Sequence, residues 1–182
     1  LAAKLAHAGK KVALIEARQL GGTCVNRGCT PTKTLRKSAR VAYMARRAAE
    51  FGVDVGPVTV NFGVAMARMR KRITDARTGL EGWLGALPGL TIHYAHGQLA
   101  GRDGADFIVQ AGEHTLRAPQ VVLNTGTRSF MPPIPGLSTV PALDSEGLLA
   151  LDELPKKLVI IGGGYISLEM AQIFRRLGAE VS

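Results

Sequence analysis

The chain has few aromatic residues and no long apolar run. Aromatic side chains make up 5% of its 182 residues, and only one of them is Trp. No apolar stretch approaches the roughly 18 residues that a membrane-spanning helix requires, so we expect a soluble protein without a membrane partner. Because 46% of the residues are nevertheless hydrophobic, the chain can bury a core and is too apolar to be disordered.

Cysteine is also scarce, with two residues in the chain. Two cysteines cannot build the disulfide framework of a small secreted scaffold, and no charged segment followed by an apolar signal segment opens the sequence. The expected location is therefore the reducing cytoplasm. Because Leu1 is not an initiator Met and Ser182 falls within an apolar strand pattern, we expect a fragment of a longer protein.

Acidic residues are nearly missing from the first part of the chain. Residues 1–50 carry 11 Lys and Arg against two acids, Glu16 and Glu50, and the whole chain has a formal net charge of +9. Such a segment favours an anionic partner: nucleic acid, an acidic surface or a phosphorylated cofactor. Tyr43 is the only aromatic residue among the basic residues of the segment 33–47, which argues against nucleic acid. A solvated helix face is the alternative explanation.

The two ends of the chain share one order of elements, in which a helix ends at a glycine and a strand follows. Near the start, the predicted helix ends at Gly9 and the strand runs to Glu16. Near the end, the predicted helix ends at Gly178 and a strand begins near Glu180. When the two glycines are aligned, the glycine loop that precedes the second helix has its counterpart before Leu1.

That loop has the pattern G-x-G-x-x-S, from Gly162 to Ser167, between an apolar strand at 158–161 and a helix that runs to Leu177. Glycines here permit a tight turn and let the backbone approach a pyrophosphate, which binds at the helix N-terminus. A plain strand–helix turn is the competing interpretation. Glu16, at the end of the first strand, is placed to bind ribose hydroxyls, or it is an ordinary surface carboxylate.

The middle of the chain alternates helix and strand patterns. We predict a long helix from about Thr23 to Glu50 and a loop from Gly52 to Asn61. An apolar stripe then predicts a second helix through Met66, Met69, Ile73, Ala76, Leu80, Trp83 and Leu87. Short strands are predicted near Thr91–Tyr94, Asp106–Gln110, His114–Leu116 and Val121–Leu123. The alternation of elements indicates an α/β fold.

Both cysteines lie in one motif, GGTCVNRGCTPTK, which runs from Gly21 to Lys33. Cys24 is predicted where a helix begins, and the helix dipole there lowers the pKa of a thiol. Zinc would need about four ligands, a structural disulfide is disfavoured by the compartment, and inert buried thiols would not need glycines around them. A redox-active pair formed by Cys24 and Cys29 explains most of the motif.

This motif resembles the signature of the flavin-dependent pyridine nucleotide-disulfide oxidoreductases. The resemblance extends through Asn124-Thr125-Gly126 and the proline-rich run 131–136 to the glycine loop. It implies a Rossmann-like FAD-binding domain over residues 1–143, without its first strand and glycine loop. The beginning of a Rossmann NAD(P)-binding domain would follow over residues 144–182. The Pro-Thr-Lys run brings the motif closer to mercuric reductase-like members than to glutathione reductase.

The resemblance also implies the roles of individual residues. Cys29 would be the thiolate nearest the flavin, and Cys24 would exchange with substrate. Glu169 would pair with Lys33 beside the flavin, and Tyr165 would gate the nicotinamide pocket. The implied cofactor-binding residues are Glu16, Thr23, Cys24, Lys33, Leu99, Thr125, Gly126, Thr127, Gly162, Gly164, Tyr165, Ile166 and Glu169.

The whole protein is thus expected to be a homodimeric oxidoreductase that uses FAD and NAD or NADP, with no metal cofactor. Its substrate would be a dithiol, a disulfide or a metal ion such as mercuric ion. The alternative hypothesis is a non-catalytic dinucleotide-binding or basic interaction module with incidental cysteines. Arg27 replaces an apolar residue usual in the family, and we expect it to face solvent without a role. The present chain, taken alone, is not expected to bind FAD tightly.

Overall fold

The computed structural model describes residues 1–182, which form two compact units. The first unit contains Leu1–Gly22 and Ala76–Thr127, and the second contains Thr23–Asp75 and Arg128–Ser182. These units are defined by compactness alone. The expected border between two cofactor-binding domains, at residues 143 and 144, stays a prediction.

Helices and strands are numbered separately along the chain. The helices are α1 Ala2–His7, α2 Gly22–Asn26, α3 Cys29–Arg46, α4 Phe62–Gly85, α5 Ser145–Ala150 and α6 Tyr165–Leu177. The strands are β1 Val12–Glu16, β2 Leu90–Tyr94, β3 Gly97–Asp103, β4 Asp106–Ala111, β5 His114–Ala118, β6 Lys157–Leu158 and β7 Glu180–Val181.

The first unit confirms the predicted start of the chain. Helix α1 ends before Gly9, whose φ of 74° lies in the left-handed region, and β1 follows as predicted. Strand β1 pairs with β2 in parallel, with Val12 opposite Leu90 and Glu16 opposite Tyr94. The parallel pairing and the helix that precedes β1 are typical of an α/β fold.

An antiparallel sheet in the order β3-β4-β5 completes the first unit. Strands β4 and β5 were predicted, whereas β3, which the pattern does not indicate, carries a bulge between Leu99 and Gly101. Its composition explains the omission, because the strand contains two glycines and is exposed along its whole length.

The second unit is built around the packing of α3, α6 and the first half of α4. Buried apolar side chains from these helices form its core, with Leu35, Met66, Phe174 and Ile173 almost inaccessible to solvent. The rings of Phe62 and Phe174 lie with their centroids 6.2 Å apart. The short strands β6 and β7 pair in parallel beside this core.

The structure corrects four expectations. The long helix predicted from Thr23 to Glu50 is broken at Arg27 and Gly28 into α2 and α3, and it ends in a 3-10 turn. The apolar run 121–123 forms no strand, because no partner strand supplies it with a hydrogen-bonding edge. The strand expected at 158–161 is assigned only as β6, although the Ile160 N–H still donates to the Ser182 oxygen over 2.8 Å. In α4, Leu84 is buried and Trp83 is exposed. Leu84 follows Leu80 by four residues and stays on the apolar face of the helix, whereas Trp83 falls outside that face.

We expect Phe174→Ala to destabilise the second unit by about 3–5 kcal/mol, because it removes a buried aromatic side chain and leaves a cavity. Leu168→Ala on the same helix is the matched control: that side chain is exposed, and its loss should cost about 0.5 kcal/mol or less. Amide hydrogen exchange of α3 and α6, measured by mass spectrometry in the whole protein, reports both effects. Equal losses of protection in the two variants would contradict the assigned core.

Candidate dithiol and nucleotide site

The break between α2 and α3 lies at Gly28, where the backbone comes close to the carbonyl group of Thr23. A Cβ atom on Gly28 would lie 3.0 Å from the carbonyl oxygen of Thr23, a contact so tight that the backbone would have to shift to accept it. The Arg27 backbone N–H donates to that same oxygen over 2.9 Å, and the Thr32 N–H donates to the Gly28 oxygen over 3.1 Å. The chain therefore leaves one helix and enters the next without an intervening loop.

This break places each cysteine near the start of a helix. Cys24 lies in the first turn of the five-residue helix α2, which begins at Gly22, so a helix does begin near Cys24 as predicted. Cys29 occupies the first position of a second helix, α3, which has 18 residues. The backbone N–H groups of that first turn have no intrahelical acceptors, and the helix dipole favours negative charge there.

The two thiols are free, exposed and close to each other. A hydrogen bond with the side chain of Cys29 raises the pKa of Cys24, and partial burial and the charge of Cys29 raise it further. A backbone hydrogen bond and the nearby cation of Lys33 act in the opposite direction, with smaller effect. Two thiols that interact in this way are placed for mutual oxidation to a disulfide, so the geometry supports a redox pair.

Lys33 and Glu169, the predicted ion pair, both lie in the second unit but do not pair in this structure. Lys33 follows Cys29 by one turn of α3 and is exposed, whereas Glu169 is half-buried on α6. The ion pairs of the chain involve other residues. Tyr165 begins α6 and is 82% exposed, one turn before Glu169. The shared face of Tyr165 and Glu169 follows from the spacing, while the pairing with Lys33 stays a prediction.

Arg27 has a partner that the sequence did not indicate. Its guanidinium donates to the Glu146 carboxylate over 3.0 Å, so the expectation of a side chain that only faces solvent was wrong. Glu146 lies in the first turn of α5, where the Asp144 carboxylate accepts the Gly147 N–H over 2.8 Å. That capping bond is the main reason why the pKa of Asp144 is lowered. The segment Asp-Ser-Glu-Gly is a recognisable helix start, but nothing in it indicates an ion pair with Arg27.

The glycine loop before α6 leaves open space next to the N-terminus of the helix. Gly162 has a φ of 111°, which few other residues adopt, while a Cβ atom on Gly163 or Gly164 would meet no neighbouring atom. The first turn of α6 carries no acid, and no side chain caps it. Its N–H groups are therefore free to bind an anion, and the loop fits the pyrophosphate of a dinucleotide. Ile166, the second residue of α6, is exposed.

The remaining predicted cofactor residues belong to the first unit, except Thr23, which is exposed at the start of the second. Glu16 ends β1 and accepts the Arg18 backbone N–H over 2.8 Å with one carboxylate oxygen, Oε1. Leu99 lies beside the β3 bulge and is 48% exposed. The turn 125–127 lies outside helices and strands, and Gly126 has a φ of 74°. A half-buried carboxylate at the end of a parallel strand suits ribose binding.

A model of the pyridine nucleotide-disulphide oxidoreductase family matches residues 1–182. The chain belongs to this family. Its members use FAD and NAD(P)H, and the open glycine loop, the carboxylate of Glu16 and the exposed thiols fit these two cofactors.

No helix is long and apolar enough to span a membrane, and no group of three or more His, Cys, Asp or Glu side chains is placed to hold a metal ion.

Relatives at 33–38% identity include enzymes with different substrates. A mercuric reductase from Shigella flexneri is 34% identical over 100% of this chain and 33% of its own length. A dihydrolipoyl dehydrogenase from Chlamydia trachomatis is 38% identical over 97% of this chain and 38% of its own length. The Cu(II) complex of the HOCl-induced flavoprotein disulfide reductase RclA from Escherichia coli matches with a TM-score of 0.81 and 33% identity, over 99% of this chain and 37% of that one. The chain thus spans little more than a third of these relatives.

We expect Cys29→Ala to shift the alkylation of Cys24 to lower pH, because the partner that mainly raises the Cys24 pKa is removed. Lys33→Met should shift it to higher pH, since the Lys33 cation favours the thiolate of Cys24. Iodoacetamide labelling of the reduced whole protein across pH, read by peptide mass spectrometry, measures both shifts. Lys37→Met, one turn further along α3, is the control and should cause no shift; two shifts of the same sign would contradict this electrostatic description.

Proposed function

We propose that the whole protein is an FAD- and NAD(P)H-dependent disulfide oxidoreductase with Cys24 and Cys29 as its redox-active pair. The observation that carries this proposal is the contact between two exposed thiols, one of which begins an 18-residue helix. Membership in the family supports it, since the matched relatives include disulfide and mercuric-ion reductases. The alternative hypothesis, a non-catalytic module with incidental cysteines, does not explain why the two thiols lie next to each other.

Each cysteine has a separate part in the proposed reaction. When the pair is oxidised, the two thiols lose two protons and two electrons and form one S–S bond. The substrate, a disulfide, a dithiol or a metal ion, is taken to react at Cys24, which lies in the short helix α2. Cys29, at the first position of α3, is taken to be the flavin-side thiol, as the resemblance to the family implies.

Bound FAD and NAD(P)H supply the hydride and electron-pair transfer, and the protein orients them. We assign Glu16, Thr23, Cys24, Lys33, Leu99 and the turn 125–127 to FAD binding. For the pyridine nucleotide, the proposed residues are Gly162, Gly164, Tyr165 and Ile166, with Tyr165 over the nicotinamide pocket. The border at residues 143 and 144 would separate the two cofactor domains.

Lys33 and Glu169 are proposed to pair when the flavin is bound. Both side chains keep a free charged group in this structure, and neither has another ion-pair partner. A Lys one turn after Cys29 would stabilise negative charge near the thiolate, and Glu169 would balance it.

We also propose that the whole protein is a homodimer in the cytoplasm, as its composition and its family favour.

We expect reduction of the whole protein to produce a long-wavelength flavin–thiolate absorption band. The band should survive Cys24→Ser, because that change leaves the flavin-side thiol in place, and should disappear in Cys29→Ser. Anaerobic titration with NADH and NADPH, followed by visible absorption, measures the band and shows which nucleotide is used.

The flavin absorption of each variant is the control, since both proteins should retain FAD. A band that survives Cys29→Ser and disappears in Cys24→Ser would exchange the two roles. A protein that holds FAD but gives no band and reduces no disulfide would contradict the proposed function.

A further inference from the structure

Arg27 is the one charged residue between the two cysteines, and it is bound to a helix that lies far away in the sequence. Its guanidinium donates to the Glu146 carboxylate over 3.0 Å, across 119 positions of the chain. Both residues belong to the second unit, so the ion pair joins two segments of one compact unit. Because Arg27 lies in the turn between α2 and α3, a restraint on its side chain acts on the turn that separates Cys24 from Cys29.

Helix α5, which carries Glu146, is held in place along its length. Its first turn is capped, as described above, and Leu148 and Leu149 are buried in the same core as α3. Beyond its last turn, Arg70 of α4 donates to the Leu151 carbonyl oxygen over 3.1 Å. Glu146 is therefore attached to a well-packed element, and Arg27 is attached to the core through it.

The segment that carries Cys24 has little packing of its own. Helix α2 has five residues, none of them buried, and a helix of this length is not stable by itself. Cys29, in contrast, begins an 18-residue helix whose opposite face is buried through Leu35 and Ala39. The position of Cys24 relative to Cys29 thus depends on how firmly the turn between them is held.

We propose that Arg27 and Glu146 are positioning residues for the dithiol, whose ion pair keeps Cys24 next to Cys29 and thereby favours the disulfide. This rests on the proposed function of the two cysteines. In the structure the thiols are free and the ion pair is already formed. A turn that is ordered before the S–S bond forms loses less conformational entropy when the ring closes, and it raises the effective concentration of one thiol at the other.

Arg27 acts on the position of the thiols and not on their charge. Its guanidinium is bonded to Glu146, whose negative charge compensates it. The pKa of Cys24 is shifted by Cys29, by burial and by Lys33, and Arg27 is not among these causes. Loss of the Arg27 side chain should therefore leave the titration of Cys24 unchanged and alter the equilibrium between dithiol and disulfide.

The test measures how readily the FAD-loaded whole protein forms its disulfide in mixtures of reduced and oxidised dithiothreitol, without oxygen or pyridine nucleotide. In this exchange the S–S bond of the reagent breaks and the bond between Cys24 and Cys29 forms, while two electrons and two protons pass to the reagent. Acid quenching, alkylation of the free thiols and peptide mass spectrometry give the oxidised fraction in each mixture. The flavin content of each variant shows that it is folded.

R27Q and E146Q should each lower the equilibrium constant for disulfide formation about threefold, the size expected for a half-exposed ion pair. This change corresponds to a potential about 14 mV less negative. The double variant R27Q/E146Q should lose no more than either single variant, because both changes remove the same interaction. R27K keeps the cation and should keep most of the wild-type constant. Added salt should lower the wild-type constant towards that of R27Q, since it screens the pair.

The ion pair of Arg70 with Asp152 provides the matched control, because it is also exposed and also attaches the α5 region to another helix. D152N removes this pair, whose length is 2.7 Å, and leaves the bond from Arg70 to the Leu151 carbonyl oxygen in place. The constant for disulfide formation should not change in D152N. Alkylation of Cys24 across pH should give the same profile in R27Q as in the wild type.

An unchanged constant in both R27Q and E146Q would overturn the proposal, as would an equal loss in D152N. Additive losses in the double variant would show that the two residues act separately, and they would overturn it too. A shift of the Cys24 profile to higher pH in R27Q would show that the guanidinium acts through its charge, which also contradicts the proposal. A wild-type protein that forms no bond between Cys24 and Cys29 in any mixture would instead refute the proposed function.

Discussion

The site depends on the chain's ability to end one helix and begin another between its two cysteines. On a continuous helix, residues five apart lie roughly 140° from each other around the axis, so the two thiols could not meet. The absence of a side chain at Gly28 allows the backbone to approach Thr23, and this approach breaks the helix. The break places Cys24 beside Cys29 and puts Cys29 at the first position of α3.

Helix α3 connects the dithiol to the core. One face packs against α4 and α6 through side chains such as Leu35, which is fully buried. The same rigid helix holds Cys29 at its start and the cations on its exposed face. A chemically reactive position is thus attached to a well-packed element, which limits the freedom of the thiol without burying it. Arg27 and Glu146 add a second attachment, from the turn between the cysteines to α5.

Local patterns predicted much of the fold but not its breaks. The helix–glycine–strand order at Gly9 and Gly178 is confirmed, because left-handed glycines and apolar strands are local signals. The helix predicted from Thr23 to Glu50 was too long, since the alanine- and arginine-rich segment favours a helix throughout, whereas the structure divides it into α2 and α3. The run 121–123 was predicted as a strand from its side chains, although a strand forms only with a partner edge.

The sequence by itself determined the family and the residue types at the site: the glycine-rich cysteine motif, the glycine loop before α6 and the basic excess of the first 50 residues. These features depend only on the types and spacing of residues that are close in sequence, so they can be identified without the structure. Only the tertiary structure decided that Glu146 binds Arg27, that Leu84 and not Trp83 is buried, and that the cations of α3 differ in their partners. Each of these depends on which distant segments pack together, and the free energy that selects one packing is shared among many contacts in the whole fold.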